Sequence, residues 1–391
     1  MPQAIALDTL GLDDGGHILL ERALAALPVG GRLEVRGTRA DLRFQLPAWC
    51  RGRGDRVDAS GPWPVVTRGP AGASRWHEAV RAGAPGDVVK HAERSWGLAA
   101  RGALVEAGGP PLAVDWVDRD LVWTDVAPKL YANATANQWD PATAVDWSAT
   151  ARAPQAIEGA VVQVMTYLVE NEQAALMLPA RLLSRLHPHF REVMQLMAVQ
   201  VADEARHVEI FTRRALLHGG ALGVSGAGGR ASLQTLLDEP HFTLASFLLS
   251  VLGEGTFLDL LRFLNIHAPD PVTADVTRLA GRDEARHVAF GVAHTAHVVQ
   301  SDPAFLGRLR AAVERRHSAL VDTAGLNAAV YDSLVVLAAG SWEPAAIRRG
   351  WLEVQDLQKR MDEGRKRRLA AIGFPADEAA ELSALHTRNF M

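Results

Sequence analysis

The chain has 391 residues, 48% of them hydrophobic and 22% charged, the make-up of a folded globular protein rather than a disordered one. Its 41 Lys and Arg against 45 Asp and Glu give a net charge of −4, which leaves no basic footprint for nucleic acid or an anionic membrane surface. A single cysteine, Cys50, excludes an internal disulfide and a cysteine-built zinc site, and fits a reducing, cytoplasmic setting.

The first residues carry neither a basic n-region nor an apolar h-region, so no signal peptide is expected. Residues 1–72 alternate short apolar runs (AIAL, RLEV, VVT) with helical pattern (HILLERALAAL), and glycine pairs at 15–16 and 30–31 punctuate the joins. That pattern predicts a small α/β domain. A connecting region follows over 73–150: helical pattern with Gly and Pro interruptions at 75–107, then a Trp-rich irregular stretch at 110–147. From 151 to 391 nearly everything has helical period, with predicted segments at 155–186, 190–218, 241–266, 271–300, 304–338 and 344–371. Pro or Gly breaks them at HPH (187–189), the glycine-rich 218–230, APDP (268–271), SDP (301–303) and SWEP (341–344). The glycine-rich stretch follows a helix and lacks a Lys-Ser/Thr ending, so it reads as a flexible connector and not as a phosphate loop. The longest apolar run, 242–253, is too short to span a bilayer.

The string DEARH occurs at 203–207 and again at 283–287. Its Glu and His are three apart, so on a helix they lie one turn apart on one face and can hold the same metal ion. Two such motifs supply two carboxylates and two imidazoles, and a carboxylate-bridged dimetal bundle asks for one more Glu on each of two further helices. The sequence offers Glu172 within the stripe Val161, Met165, Leu168, Leu176, and Glu254 within Phe247, Val251, Leu258, Leu261. Glu204 likewise interrupts Met197, Val201, Val208 and Phe211. Glu170 shares its face with Gln163, Thr166 and Arg181, and Glu158 sits where an acid suits the helix dipole.

A lone acid on an apolar face is usually a hydrogen-bonded structural residue, so spacing has to decide. Two residues of an antiparallel helix pair share a level when the turn lies midway between them. The midpoint of Glu172 and Glu204 is Pro188; that of Glu254 and Glu284 is Pro269; that of Glu204 and Glu254 is Gly229. All three fall in predicted breaks, so four carboxylates and two imidazoles are expected at one depth, about 24 Å of helix from each turn. Buried without compensation they would cost several kcal/mol each, and metal cations supply the missing charge. Oxygen and nitrogen donors without sulfur suit iron or manganese.

The set Glu172, Glu204, His207, Glu254, Glu284 and His287 resembles that of the ferritin-like diiron carboxylate superfamily, and the doubled motif is most similar to the hydroxylase subunits of bacterial multicomponent monooxygenases and the ribonucleotide reductase small subunit. The resemblance covers roughly 150–300 and implies a mainly α fold: a ferritin-like four-helix bundle with extra C-terminal helices. It implies bridging ligands including Glu204 and Glu284. It also implies Asp203 and Asp283 as acceptors orienting the imidazoles, with Arg206 and Arg286 paired to those aspartates; structural salt bridges alone would account for the arginines equally. Segment 131–147 resembles the approach to the bundle in such oxygenases. Phe211 stands where the reductase pattern places its radical tyrosine, and Tyr131, Tyr167 and Tyr331 fall on no ligand stripe. Ala280 stands where arylamine N-oxygenases add a third histidine.

Phe211, Val208 and His294 are the pocket-wall candidates, His294 reading more readily as a hydrogen-bonded core histidine. His187, His189, His218 and His297 read as exposed or capping. Tryptophans such as Trp139 and Trp147 suit either a pocket wall or packing between domains. Residues 4–68 resemble a TusA-like sulfur-carrier domain, but DDGG (13–16) replaces its Cys-Pro motif and Cys50 falls in the second helix, which disfavours sulfur transfer and leaves a docking or cavity-covering role.

The resemblance implies a dinuclear non-haem iron (or Mn/Fe) enzyme that activates O2 and oxidises a small organic substrate, monooxygenation before oxidation without insertion, with a ferroxidase or metal-stabilised protein as rivals. No dinucleotide or flavin fingerprint appears, so an external reductase or ferredoxin is expected, and a homodimer is the expected assembly.

Overall fold

Apolar residues at helical spacing dominate beyond Ala153, and the chain there is built of helices that pack together through buried apolar faces. The computed structural model describes residues 2–71, 76, 78–149, 151–320 and 328–385. These divide into two units, Met1–Asp87 with Ser95–Leu112, and Val88–Arg94 with Ala113–Met391.

In the first unit, β1 (Gln3–Asp8), α1 (Gly16–Ala25), β2 (Arg32–Gly37), α2 (Leu42–Arg53), β3 (Arg56–Asp58) and β4 (Val65–Thr67) form a sheet of order β1-β2-β4-β3. β1 and β2 pair in parallel across α1, and β4 runs antiparallel to both β2 and β3. Leu20, Leu24, Leu46 and Cys50 of the helices cover Leu7, Leu33, Val35 and Val66 of the sheet. The helical pattern read at 75–107 gives instead a two-stranded ribbon, β5 (Val80–Arg81) with β6 (Leu104–Val105), within irregular chain. Gly83, Gly97 and Gly102 have positive φ there, which a right-handed helix does not accommodate.

The second unit starts with α3 (Ala127–Ala136) and continues with α4 (Gln155–Leu183), α5 (Arg191–Ala215), α6 (Ala227–Leu237), α7 (Phe242–Ile266), α8 (Pro271–Ser301), α9 (Phe305–Leu320), α10 (Ala328–Ala339), α11 (Pro344–Ile372) and α12 (Ala376–Ala384). α4, α5, α7 and α8 are the four-helix bundle. Pro188 opens the turn between α4 and α5. Asp270 caps α8, its carboxylate accepting from Thr273 N at 2.8 Å. The helix read at 304–338 comes as α9 and α10, with 321–327 outside the described residues.

The glycine-rich connector differs from the reading most. Gly223 N donates to Thr166 and Val224 N to Gln163 in the first half of α4, α6 follows, and Arg181 near the end of α4 binds the carbonyls of Leu237 and Glu239. The segment therefore runs along the bundle beside the second half of α4 rather than turning back at once. Arg214, at the end of α5, meets Asp270, beyond the end of α7, so α5 and α7 run parallel. This is the single long crossover of ferritin-like bundles. The coincidence at Gly229 was no turn: Glu204 and Glu254 share a level because each stands about equally far from the start of its own helix.

α7 is apolar and long enough to cross a membrane by composition, but 89% of the relevant window is buried inside the protein. Its middle, Phe247–Glu254, is wound as a π-helix, a form that recurs at functional sites. Arg368 of α11 answers one carbonyl of that segment, Nε donating to Val251 O at 2.7 Å. Gly291 of α8 lets Ser250 approach, since a Cβ there would meet it.

Candidate metal centre

Each helix of the bundle sends one carboxylate to a common level: Glu172 from α4, Glu204 from α5, Glu254 from the end of the π segment and Glu284 from α8. His207 and His287 join them from one turn further along their helices, and all six side chains are buried. Two overlapping groups result, Glu172, Glu204, His207, Glu284 and Glu204, Glu254, Glu284, His287, with the donor atoms of each within 4.8 Å of one another.

The atoms divide the cluster into two halves. His207 Nδ1 lies 3.4 Å from Glu172 Oε2, 3.2 Å from Glu204 Oε2 and 3.4 Å from Glu284 Oε1. His287 Nδ1 lies 3.0 Å from Glu204 Oε1, 3.4 Å from Glu284 Oε2 and 3.9 Å from Glu254 Oε1. Glu204 and Glu284 thus give one oxygen to each half, while Glu172 and Glu254 each serve one.

Among the described residues, Glu172 Oε1, Glu204 Oε1, Glu254 Oε2, Glu284 Oε2 and His287 Nδ1 are buried without a hydrogen-bond partner. The approach of His287 Nδ1 to Glu204 Oε1 lacks the alignment of a hydrogen bond: the lone pairs aim between the side chains, not at each other. Orphaned acceptors around a common centre, all oxygen or imidazole nitrogen, fit a pair of hard or borderline cations. Burial, then the charges of Glu284 and Glu204, push Glu172 well above the usual carboxylate range, and burial and Glu284 do the same to Glu254. Burial also opposes ionising Glu204, yet the imidazoles of His287 and His207 outweigh it and hold that carboxyl low. The imidazoles rise in turn: burial works against their charge, but Glu172 for His207 and Glu204 for His287 prevail.

The aspartates of the two motifs cross over. Asp283 Oδ2 faces His207 Nε2 at 3.4 Å, and Asp203 Oδ2 faces His287 Nε2 at 3.2 Å, so each motif orients the other's imidazole. With Nε2–H donated to a carboxylate, Nδ1 is left to the ligand side. Arg206 pairs with Asp203, and Arg286 bridges Asp283 and Asp203, the latter at 3.1 Å. Burial resists ionising Asp283, but the hydrogen bond and charge of His207 hold it below the usual range.

Several contributors have roles that the sequence reading did not give them. Gln200 Nε2 donates to Glu254 Oε1 at 3.0 Å; it stands four residues before Glu204 on the same stripe, a polar interruption that spacing alone would have flagged. Trp139 Nε1 donates to Asp283 Oδ2 at 2.7 Å and its ring stacks on His207, while Gln138 accepts from Arg206 at 2.7 Å. They arrive from outside the bundle, just past the end of α3 and midway along the 131–147 stretch, with no periodicity to announce them.

A narrow apolar cavity adjoins the cluster, lined by Leu233, Leu236, Leu249 and Phe257 with Glu172, Glu254 and Glu284 at one side. Phe211, Val208 and His294 do not line it. Phe211 packs in the core beside His207, and Val208 is half-buried against the same core. His294 bonds Trp123 O at 3.0 Å and Thr243 Oγ1 at 3.1 Å, and burial lowers it to about 4, which makes it a neutral core histidine. One wall of the cavity is α6, which the sequence reading had left as connector. His187 and His189 are buried, contrary to the exposed reading, although His187 does cap, its Nδ1 accepting from His189 N at 3.1 Å.

Neither a family model nor a curated protein matches the sequence. Solved structures similar to the chain include an R2-like ligand-binding oxidase from Sulfolobus acidocaldarius, 15% identical over 65% of this chain and 94% of that one, with a TM-score of 0.46. A Synechococcus protein with aldehyde deformylating oxidase activity is 19% identical over 60% and 99%, with a TM-score of 0.43. An R2-like ligand-binding oxidase with an aerobically reconstituted Mn/Fe cofactor is 16% identical over 68% and 91%, with a TM-score of 0.38.

Proposed function

We propose that the protein is an O2-dependent dinuclear oxidoreductase, a diiron or Mn/Fe monooxygenase acting on a small, largely apolar organic molecule. The observation that carries this reading is the division of oxygens at Glu204 and Glu284, one to each imidazole, which is what two ions sharing two bridging carboxylates require. Glu172 and His207 would complete one ion's ligands, Glu254 and His287 the other's. When bound, such a pair supplies the redox equivalents for reductive activation of O2.

The chain's own residues do the rest. Gln200 fixes the rotamer of Glu254, the crossed aspartates hold both imidazoles in one tautomer, and Trp139 keeps Asp283 in place. Leu233, Leu236, Leu249 and Phe257 shed water beside Glu172 and Glu254 and accept an apolar molecule there. That greasy lining favours an organic substrate over the ferroxidase reading, for which a polar ion path would be expected. Electrons come from a separate reductase or ferredoxin in this reading, as the chain has no flavin or dinucleotide fingerprint. The N-terminal unit enters as a TusA-like fold in a docking role: its one thiol, Cys50, is buried in α2, and burial pushes it up to about 12.

Reconstitution with Fe(II) alone and with Mn(II) plus Fe(II), followed by metal analysis, tests the centre; two ions per chain are expected in at least one preparation. O2 uptake with a chemical reductant then separates an enzyme from a metal-stabilised structural protein. Incorporation of label from 18O2 into product supports monooxygenation, and consumption without incorporation turns the reading to an oxidase.

A further inference from the structure

Arg214 and Arg316 are both buried arginines of the helical unit, and only Arg214 has its charge answered. Arg214 donates to Glu158 at 2.8 and 3.1 Å, to Asp270 at 2.6 Å and to Thr273 at 2.7 Å. Arg316, in the last turns of α9 and 8% exposed, donates through Nη2 to Ser232 Oγ at 2.9 Å. Its Nε and Nη1 are buried with no partner, and it has no ion pair among the described residues. Its neighbour Arg315 takes Glu239, at 3.6 Å. Burial lowers the Arg316 guanidinium to about 10, still charged at neutral pH. A buried cation held by one hydroxyl is costly, and proteins ordinarily pair such charges.

Arg316 lines an open cleft, together with Thr235, Leu248 and Ala312 and with Asp238, Glu239 and Arg315. α6 is a wall shared with the cavity beside the metal cluster: Ser232 and Thr235 lie on the Arg316 side, Leu233 and Leu236 on the other. We infer that this cleft binds a monocarboxylate with an apolar body, the carboxylate pairing with Arg316. The unpartnered N–H groups call for an acceptor, and the missing countercharge calls for an anion. Arg315 answers Glu239 on the same wall, and the remaining acid, Asp238, disfavours a dianion more than a monoanion, which favours a carboxylate over a phosphate; Leu248 and Ala312 offer contact to hydrocarbon. The inference stands apart from the oxidase reading, because no metal enters it.

Titration calorimetry of the metal-free full chain with octanoate, octanol and octyl phosphate tests it. Octanoate should bind about tenfold or more tighter than octanol, the value of one charge-assisted contact, and tighter than octyl phosphate. Arg316→Met should lose that preference and melt no lower than the parent, since it removes an uncompensated charge. Ala319→Trp, at an exposed position lining the cleft, keeps the arginine and should weaken octanoate by obstruction, which decides the matter if Arg316→Met does not fold. Equal binding of octanoate and octanol, stronger binding of octyl phosphate, or octanoate binding undiminished in both variants would overturn the assignment.

Discussion

Two buried clusters of charge stand along α5, two turns apart, and they are built to opposite rules. At its end, Arg214, Glu158, Asp270 and Thr273 close on themselves: each guanidinium nitrogen has an acceptor, and Thr273 also donates to Asp270 at 2.8 Å. At its middle, four carboxylates and two imidazoles leave acceptor oxygens and a ring nitrogen open. Burial of charge is common to both. What marks a metal centre is the excess of acceptors over donors within a few ångströms of one point. Glu158 shows the difference at residue level, since the sequence offered it only as a dipole-suited acid and it proves to be the partner of a buried arginine.

The comparison breaks most sharply at the ligands. Glu204→Ala removes an oxygen from both halves, so both ions should be lost on metal analysis while the helical circular-dichroism signal remains. Retention of either ion would remove Glu204 from the bridging role. Arg214→Met should do the reverse. It leaves Glu158 and Asp270 uncompensated and should cost about 3–5 kcal/mol in denaturant unfolding, with metal content per folded chain unchanged. A variant that loses metal and stability together would mean the two clusters are one.

How much of this could be read beforehand depended on whether a residue's role was local. The convergence of the six candidate ligands was legible because a repeated Glu-x-x-His on an apolar stripe is a property of one helix, and because Pro188 and Pro269 truly reverse the chain. The level of Glu254 came out right for the wrong reason, through a turn that is a crossover, since equal distances from two helix starts mimic a midpoint. The π segment was hidden because FLLSVLG is apolar on every side and has no polar face from which a period can be read. Trp139 and Arg316 are tertiary facts. Nothing in their neighbourhoods says that one will reach an aspartate 144 positions away, or that the other will lack one.

Within the metal cluster the comparison sharpens at the crossed aspartates. Asp203→Asn keeps the shape but offers His287 Nε2–H a poorer acceptor, and a roughly 10–100-fold loss of metal affinity is the usual size of such an effect. Because of the crossing, the weakened ion should be the one held by His287, although Asp203 sits on the helix of His207. Competition with a chelator, followed spectroscopically in a mixed-metal sample, reads which ion leaves first. Asp283→Asn should invert the order; the same order in both would refute the crossed arrangement.

Trp139→Phe should have the smallest effect. The indole contributes one N–H to Asp283 and a face to His207, and phenylalanine keeps the face and loses the donor. Arg286 still donates to Asp283, and Arg206 lies within 3.5 Å of it, so the carboxylate is not stranded. One hydrogen bond to a charged acceptor is worth about 1.5–3 kcal/mol when it stands alone, and with two guanidiniums remaining the loss of metal affinity should stay under about tenfold. It should fall on the ion held by His207, the imidazole that Asp283 orients. A larger loss than in Asp203→Asn would make the tryptophan, rather than the arginines, the group that holds Asp283 against His207.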